Sequence, residues 1–150
     1  MFKKIIAGIA FGCAAQLAQA SATTALTTAN DVEKALMSGG NVTVTLDFSK
    51  CTNNDASAAP SSTRGGLKIT AFRILANGTI SFADQHETID SKGQPIRQIL
   101  RYQVRPDGVV AFTMSTFSLP SYSTVPPIGY TCAVNQGVYF FEEGGHDRGR

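Results

Sequence analysis

Two turn signals, Asn77-Gly78 and Asp107-Gly108, each set between alternating apolar runs, constrain the fold of this chain more than any other feature. A glycine reached through Asn or Asp takes positive φ at little cost, so a strand can reverse there within a few residues. Leu67 to Leu75 and Thr79 to about Ile89 flank the first signal; Pro95 to Arg105 and Val109 to Ser118 flank the second. Two hairpins in succession predict an antiparallel meander. Val42, Val44, Leu46 and Phe48 alternate with Thr43, Thr45 and Asp47, which adds a strand with one wet face. Gly137 to Phe141 makes a last short strand.

Between Thr28 or Asn30 and Met37 the period changes to that of a helix, with Val32, Ala35 and Leu36 on one face. Asn30 followed by Glu33 supplies a capping box, and Gly39-Gly40 a stop. Residues 52–66 are rich in Asn, Ala, Ser, Pro and Gly without apolar period and read as a mobile loop. Leu119 to Tyr130 reads as a Pro-rich crossing, and residues 142–150 as a polar tail. The expected class is α+β, mainly β: an antiparallel meander sheet of about six strands with one N-terminal helix packed on it. Whether that sheet closes into a barrel is left open by the pattern.

The first twenty residues form a separate unit. Lys3 and Lys4, the apolar run Ile5 to Ala15 and the small-residue site Ala18-Gln19-Ala20 read as a secretory signal cleaved before Ser21. The apolar run is about eleven residues, far short of the ~20 that span a bilayer. Lipidation at Cys13 is the rival reading, opposed by the bulky Phe11 and the short run before it. Cleavage leaves residues 21–150 as a single domain, with no membrane span expected. Of 13 basic residues, two leave with the signal, so eleven face 11 acidic ones and the mature chain is formally neutral. Nucleic acid and anionic membrane are therefore not indicated as partners. Cys51 and Cys132 remain as an even pair in an exported chain, which predicts a disulfide and periplasmic or secreted residence.

Candidates for chemistry are few. No Gly-x-Ser-x-Gly elbow, His-Glu-x-x-His helix, phosphate loop or dinucleotide fingerprint occurs. Asp84 and His86 share one face of a regular strand, with Asp90 just beyond, and could orient an imidazole or begin a metal site. The plainer reading is a strand leaving the core for solvent. His146 lies in the polar tail. Arg97, Arg101 and Arg105 alternate onto one strand face opposite Tyr102 and could grip a carboxylate or sulfated ligand, although acidic cross-strand neighbours such as Glu87 would neutralise them. The reading assigns no catalytic residue, no metal and no cofactor.

The order of these features resembles the VirK family of small exported bacterial proteins. The resemblance is carried by Ala35-Leu36 and Gly39, Asp47-Phe48-Ser49-Lys50-Cys51, Gly66-Leu67-Lys68-Ile69-Thr70-Ala71-Phe72, the run from Gly78 to His86, and Arg101-Tyr102 before Pro106-Asp107-Gly108. It implies a virulence-associated protein of the periplasm or culture fluid and brings no assigned reaction. Three function classes follow. The first is an accessory protein acting through contacts with a protein partner and without catalysis. The second is a small-ligand-binding β module, favoured by aromatics such as Phe72, Phe82, Phe112 and Phe140. The third is a hydrolase or metalloenzyme using Asp84 and His86.

Overall fold

The computed structural model describes residues 23–144, so the signal segment, Cys13 and His146 lie outside the described residues. The chain runs β1 (Thr23–Leu26), α1 (Ala29–Met37), β2 (Asn41–Asp47), a 3-10 turn (Phe48–Lys50), β3 (Thr52–Asn53) and β4 (Arg64–Lys68). It continues through β5 (Arg73–Ile74), β6 (Ile80–Ile89), β7 (Pro95–Val104), β8 (Val109–Ser118), β9 (Ser123–Thr124), β10 (Ile128–Val134) and β11 (Gly137–Glu143). All join one 11-stranded sheet in the order β4-β2-β11-β10-β8-β7-β6-β5, with β1, β3 and β9 paired on β11, β10 and β8. The sheet curls into a half-barrel.

Three turns of one kind drive the meander. At Leu75–Thr79, Asp90–Gln94 and Arg105–Val109, the first residue's N–H donates to the carbonyl four residues on. In each, a glycine at positive φ (Gly78, Gly93, Gly108) donates back to the first carbonyl. This is a type I turn closed by a bulge glycine, the favoured three-residue hairpin. The long strands β6, β7 and β8 follow in register, with Phe82 opposite Tyr102 and Tyr102 opposite Phe112.

Several expectations are corrected. The sheet has 11 strands where about six were expected, and it is mixed because β10 and β11 pair in parallel at Ala133–Gly137 and Val134–Val138. Positive φ at Asn135 and Gly137 turns the chain sideways there, so the next strand keeps its direction. The first hairpin is short: only Arg73–Ile74 pairs with Ile80–Ser81, whereas Arg64–Lys68 pairs with β2. The cause is a phase slip, since the apolar positions are odd at Leu67 and Ile69 and even at Phe72 and Ile74, and one strand cannot present both to one core. Both ends of the 52–66 loop are strand, Thr52–Asn53 against β10 and Arg64–Gly66 within β4. The crossing from Leu119 to Tyr130 holds β9 and the start of β10, and the tail's Glu142 and Glu143 pair with β2. The helix begins one turn signal earlier than Asn30: Asp31 N–H donates to Thr28 Oγ1 at 3.1 Å, and Thr28 N–H donates to Asp31 Oδ2 at 3.0 Å.

The helix buries Ala29, Val32, Ala35 and Leu36 in one continuous core with Val42, Val44, Val138 and Phe140. An aromatic layer extends it: Phe82 stacks on Tyr102 with centroids at 4.8 Å, and Phe48 stacks on Tyr130 at 4.1 Å. Phe112 lies between the two stacks, 5.0 Å from Tyr102 and 4.8 Å from Phe48. The Cys51–Cys132 disulfide, with Cα atoms 4.6 Å apart, ties the turn carrying Phe48 to β10. Gly137 is required beside it, because a Cβ there would sit 2.6 Å from Cys51 Sγ at a φ of +92°.

Candidate functional site

The half-barrel leaves a gap between β4 and β6, where apolar and polar side chains from β2, β4, β6, β7 and β8 converge. Leu46, Phe48 and Leu67 line one wall; Leu100, Tyr102, Phe112 and Met114 form the floor and opposite wall. The cleft has a volume of about 330 Å³, within the range of small-ligand and peptide sites. Tyr102 and Phe112 of its floor belong to the aromatic layer, so the cleft rests on the hydrophobic core. Gly66 keeps the β4 wall close, since a Cβ there would meet the Val44 carbonyl at 2.6 Å.

Asp84 and His86 project into this cleft from β6, where alternation continues the inward series Ile80, Phe82. The imidazole is held by a neighbour the sequence reading did not single out. His86 Nε2 lies 2.9 Å from Gln98 Oε1, and Gln98 Nε2 donates to Met114 Sδ at 3.4 Å, a polar chain crossing β6, β7 and β8. An amide oxygen only accepts, so the His86 Nε2–H donates this bond. The signal that could have found Gln98 is its position: it is directly opposite His86 in the register and on the inward face of β7.

Asp84 makes no hydrogen bond or ion pair with the described residues. Burial, and secondarily the Asp84 carboxylate, push the Tyr102 hydroxyl well above the ordinary tyrosine range, so it stays protonated. Asp90 does not join the pair: it accepts from Lys92 N–H and Gln94 N–H, both at 2.8 Å, and shapes the β6–β7 turn. Among the described residues no group of three or more His, Cys, Asp or Glu is placed to hold a metal ion.

The arginine row is on the convex face and is broken up by its partners. Arg97 Nε donates to Glu87 Oε1 at 3.1 Å and its guanidinium lies 5.2 Å from the Tyr122 ring centroid. Arg105 pairs with Asp107 of its own turn at 2.7 Å. Arg101 is left exposed, beside Arg73 of β5 and the Phe72 ring in a shallow depression.

The family model described as VirK protein matches residues 25–122. The chain belongs to the VirK family. That span contains every cleft residue named above. A VirK chain with this sequence is 46% identical over 116 residues to the "Uncharacterized protein in pinF2 3'region" of Rhizobium radiobacter, covering 77% of this chain and 80% of that protein. It is 43% identical over 135 residues to "Uncharacterized protein y4wH" of Sinorhizobium fredii, covering 89% of this chain and 92% of that one. The crystal structure of lpg1832, a VirK family protein from Legionella pneumophila, superposes with a TM-score of 0.70 at 19% identity, covering 78% of this chain and 98% of that one. At that identity the likeness shows the VirK fold.

No helix among the described residues is long and apolar enough to cross a membrane.

Proposed function

We propose that this VirK protein is an exported, virulence-associated accessory protein that acts by binding a partner and without catalysis, with the β4–β6 cleft as its contact site. The observation that carries the reading is the bonding of His86. A general base is usually oriented by a carboxylate that stabilises the imidazolium, and here the Nε2 proton goes to a neutral amide that is itself anchored on Met114. The arrangement supports recognition, with one donor chain, one unpaired carboxylate and apolar walls. Export is supported by the Lys3-Lys4, Ile5–Ala15 and Ala18-Gln19-Ala20 pattern, and by a disulfide that suits an oxidising compartment. The second reading, a small-ligand-binding β module, is favoured by the cleft volume alone.

The test is complementation of a strain lacking the gene. Leu100→Trp, which fills the cleft from a half-buried wall position, should abolish the phenotype while the protein stays folded and exported with Ser21 at its N-terminus. His86→Ala should leave the phenotype nearly intact. The reverse pattern, with His86→Ala inactive and Leu100→Trp active, would make the site catalytic and overturn the reading.

A further inference from the structure

We infer that the cleft takes an extended polypeptide segment of a partner as an added strand on the free edge of β6, with a lysine or arginine of that segment set against Asp84. The inference rests on the binding reading above and names the class of partner. Its first support is the backbone of the two walls. Asp90 N–H bonds the Gln94 carbonyl, and Leu75 N–H the Thr79 carbonyl, which fixes the phase of β6 at both ends. In an antiparallel ladder the bonded pairs recur every second residue. Asp84/Leu100 and His86/Gln98 therefore bond within the hairpin, and Ala83, Gln85 and Glu87 aim their N–H and C=O groups away from β7. β5 covers only Ile80 and Ser81, so among the described residues no strand pairs with this outward row along the rest of β6.

The opposite wall has the same character. Ile69 N–H donates to Val42 O at 2.8 Å and Phe48 N–H to Thr63 O at 3.0 Å, so the even positions Arg64, Gly66 and Lys68 face away from β2. β4 ends the sheet, and among the described residues β2 is its one strand partner. Two rows of free peptide groups facing one apolar cleft match an extended peptide, which satisfies such a row and places every second side chain inward. The free edge from Ala83 to Ile89 would take about seven residues, roughly 24 Å of strand.

Charge selects among such peptides. The cleft cation Arg64 is engaged by Asp47 at 3.1 Å, and Glu87 is engaged by Arg97 on the convex face. Asp84 is the cleft charge with no ion pair among the described residues, so the inward residue beside it should be basic.

The test uses the mature, disulfide-bonded protein and fluorescent heptapeptides alternating valine with threonine, with Lys, Gln or Glu at the central inward position. By anisotropy the Lys peptide should bind at least about tenfold more tightly than the Glu peptide, the separation expected for one charge pair in a partly desolvated site. Asp84→Asn should erase that preference while sparing the Gln peptide. Gln85→Pro removes an edge N–H without touching the β6–β7 ladder and should weaken all three peptides by about tenfold. Equal binding of the three peptides, or full binding by Gln85→Pro, would overturn the inference. If no peptide binds but anilinonaphthalene sulfonate shifts the Leu100 and Met114 methyl resonances, strand addition is wrong and the cleft is a small-ligand site. Self-association abolished by Gln85→Pro would make the occupant a second copy and equally overturn the assignment. An active Leu100→Trp protein in the complementation test refutes the underlying cleft reading instead, so the two failures are distinct.

Discussion

Replacing Cys51 and Cys132 together by alanine should lower stability substantially and leave the half-barrel folded. The bond closes a loop of 81 residues, for which the chain-entropy relation gives about 4.5 kcal/mol at 25 °C, with measured disulfides usually nearer 2–4 kcal/mol. Cys132 is 5% exposed, so losing its sulfur leaves a small void that adds less than about 1 kcal/mol. A net loss of about 3 kcal/mol corresponds, for a domain of this size, to a fall of roughly 10–15 °C in the thermal midpoint. Circular dichroism melts of the oxidised protein, the reduced protein and the double variant measure it. The last two should agree, and the denaturant slope should rise because the unfolded chain is no longer cross-linked. Reduction should also perturb the near-ultraviolet signal, since the bond holds the turn carrying Phe48 against Tyr130. A midpoint within about 3 °C of the oxidised protein would refute the loop-closure argument.

Gly137→Ala should destabilise by about 2 kcal/mol or more, because it combines a φ of +92° with a contact of 2.6 Å to Cys51 Sγ, and a neutral melt would show that this corner relaxes freely. Acid should weaken the fold: hydrogen bonds from the Thr28 side chain, the Ser49 side chain, the Gln94 backbone and the Arg105 side chain hold Asp31, Asp47, Asp90 and Asp107 below the usual carboxylate range. A depressed folded pKa means that the folded state binds fewer protons, so this stability is complete above about pH 4 and is lost as pH falls through the folded values; a midpoint that rises on acidification would contradict it. His86→Ala should cost about 1 kcal/mol through the lost bond to Gln98, read by denaturant melts, and a loss above 3 kcal/mol would mean that the imidazole is structural.

Local signals carried the parts of the fold that local physics decides. Gly78 and Gly108 mark real turns because positive φ is a one-residue requirement. The alternation from Val42 to Leu46 is a strand because every second residue is buried. Gly93 carries the same turn signal as the other two, and Ser91-Lys92-Gly93 could have been read in the same way. The missed elements share a different cause. β1, β3, β5 and β9 have two to four residues, too few to show a period, and exist because a longer neighbour offers an edge. The partner exchange of β4 was half legible in the odd-to-even slip between Ile69 and Phe72, but the slip shows only that the strand breaks, not where its first half goes.

The cleft depends on that exchange. Had Leu67 to Leu75 paired continuously with β6, the β6 edge would be covered and Asp84 and His86 would face a neighbouring strand. Because β4 leaves for β2, and β5 covers only two residues of β6, the same Asp84 and His86 stand over an open, aromatic-floored gap. Alternation placed the pair on one face, and it also placed Gln98 opposite His86 once the hairpin register was known. What it could not supply is the identity of the facing wall, which comes from residues 64–67, about twenty positions away along the chain. The strand that would have closed the barrel is the one that opens it, and any ligand that binds there does so where the sheet's own hydrogen bonding is unfinished.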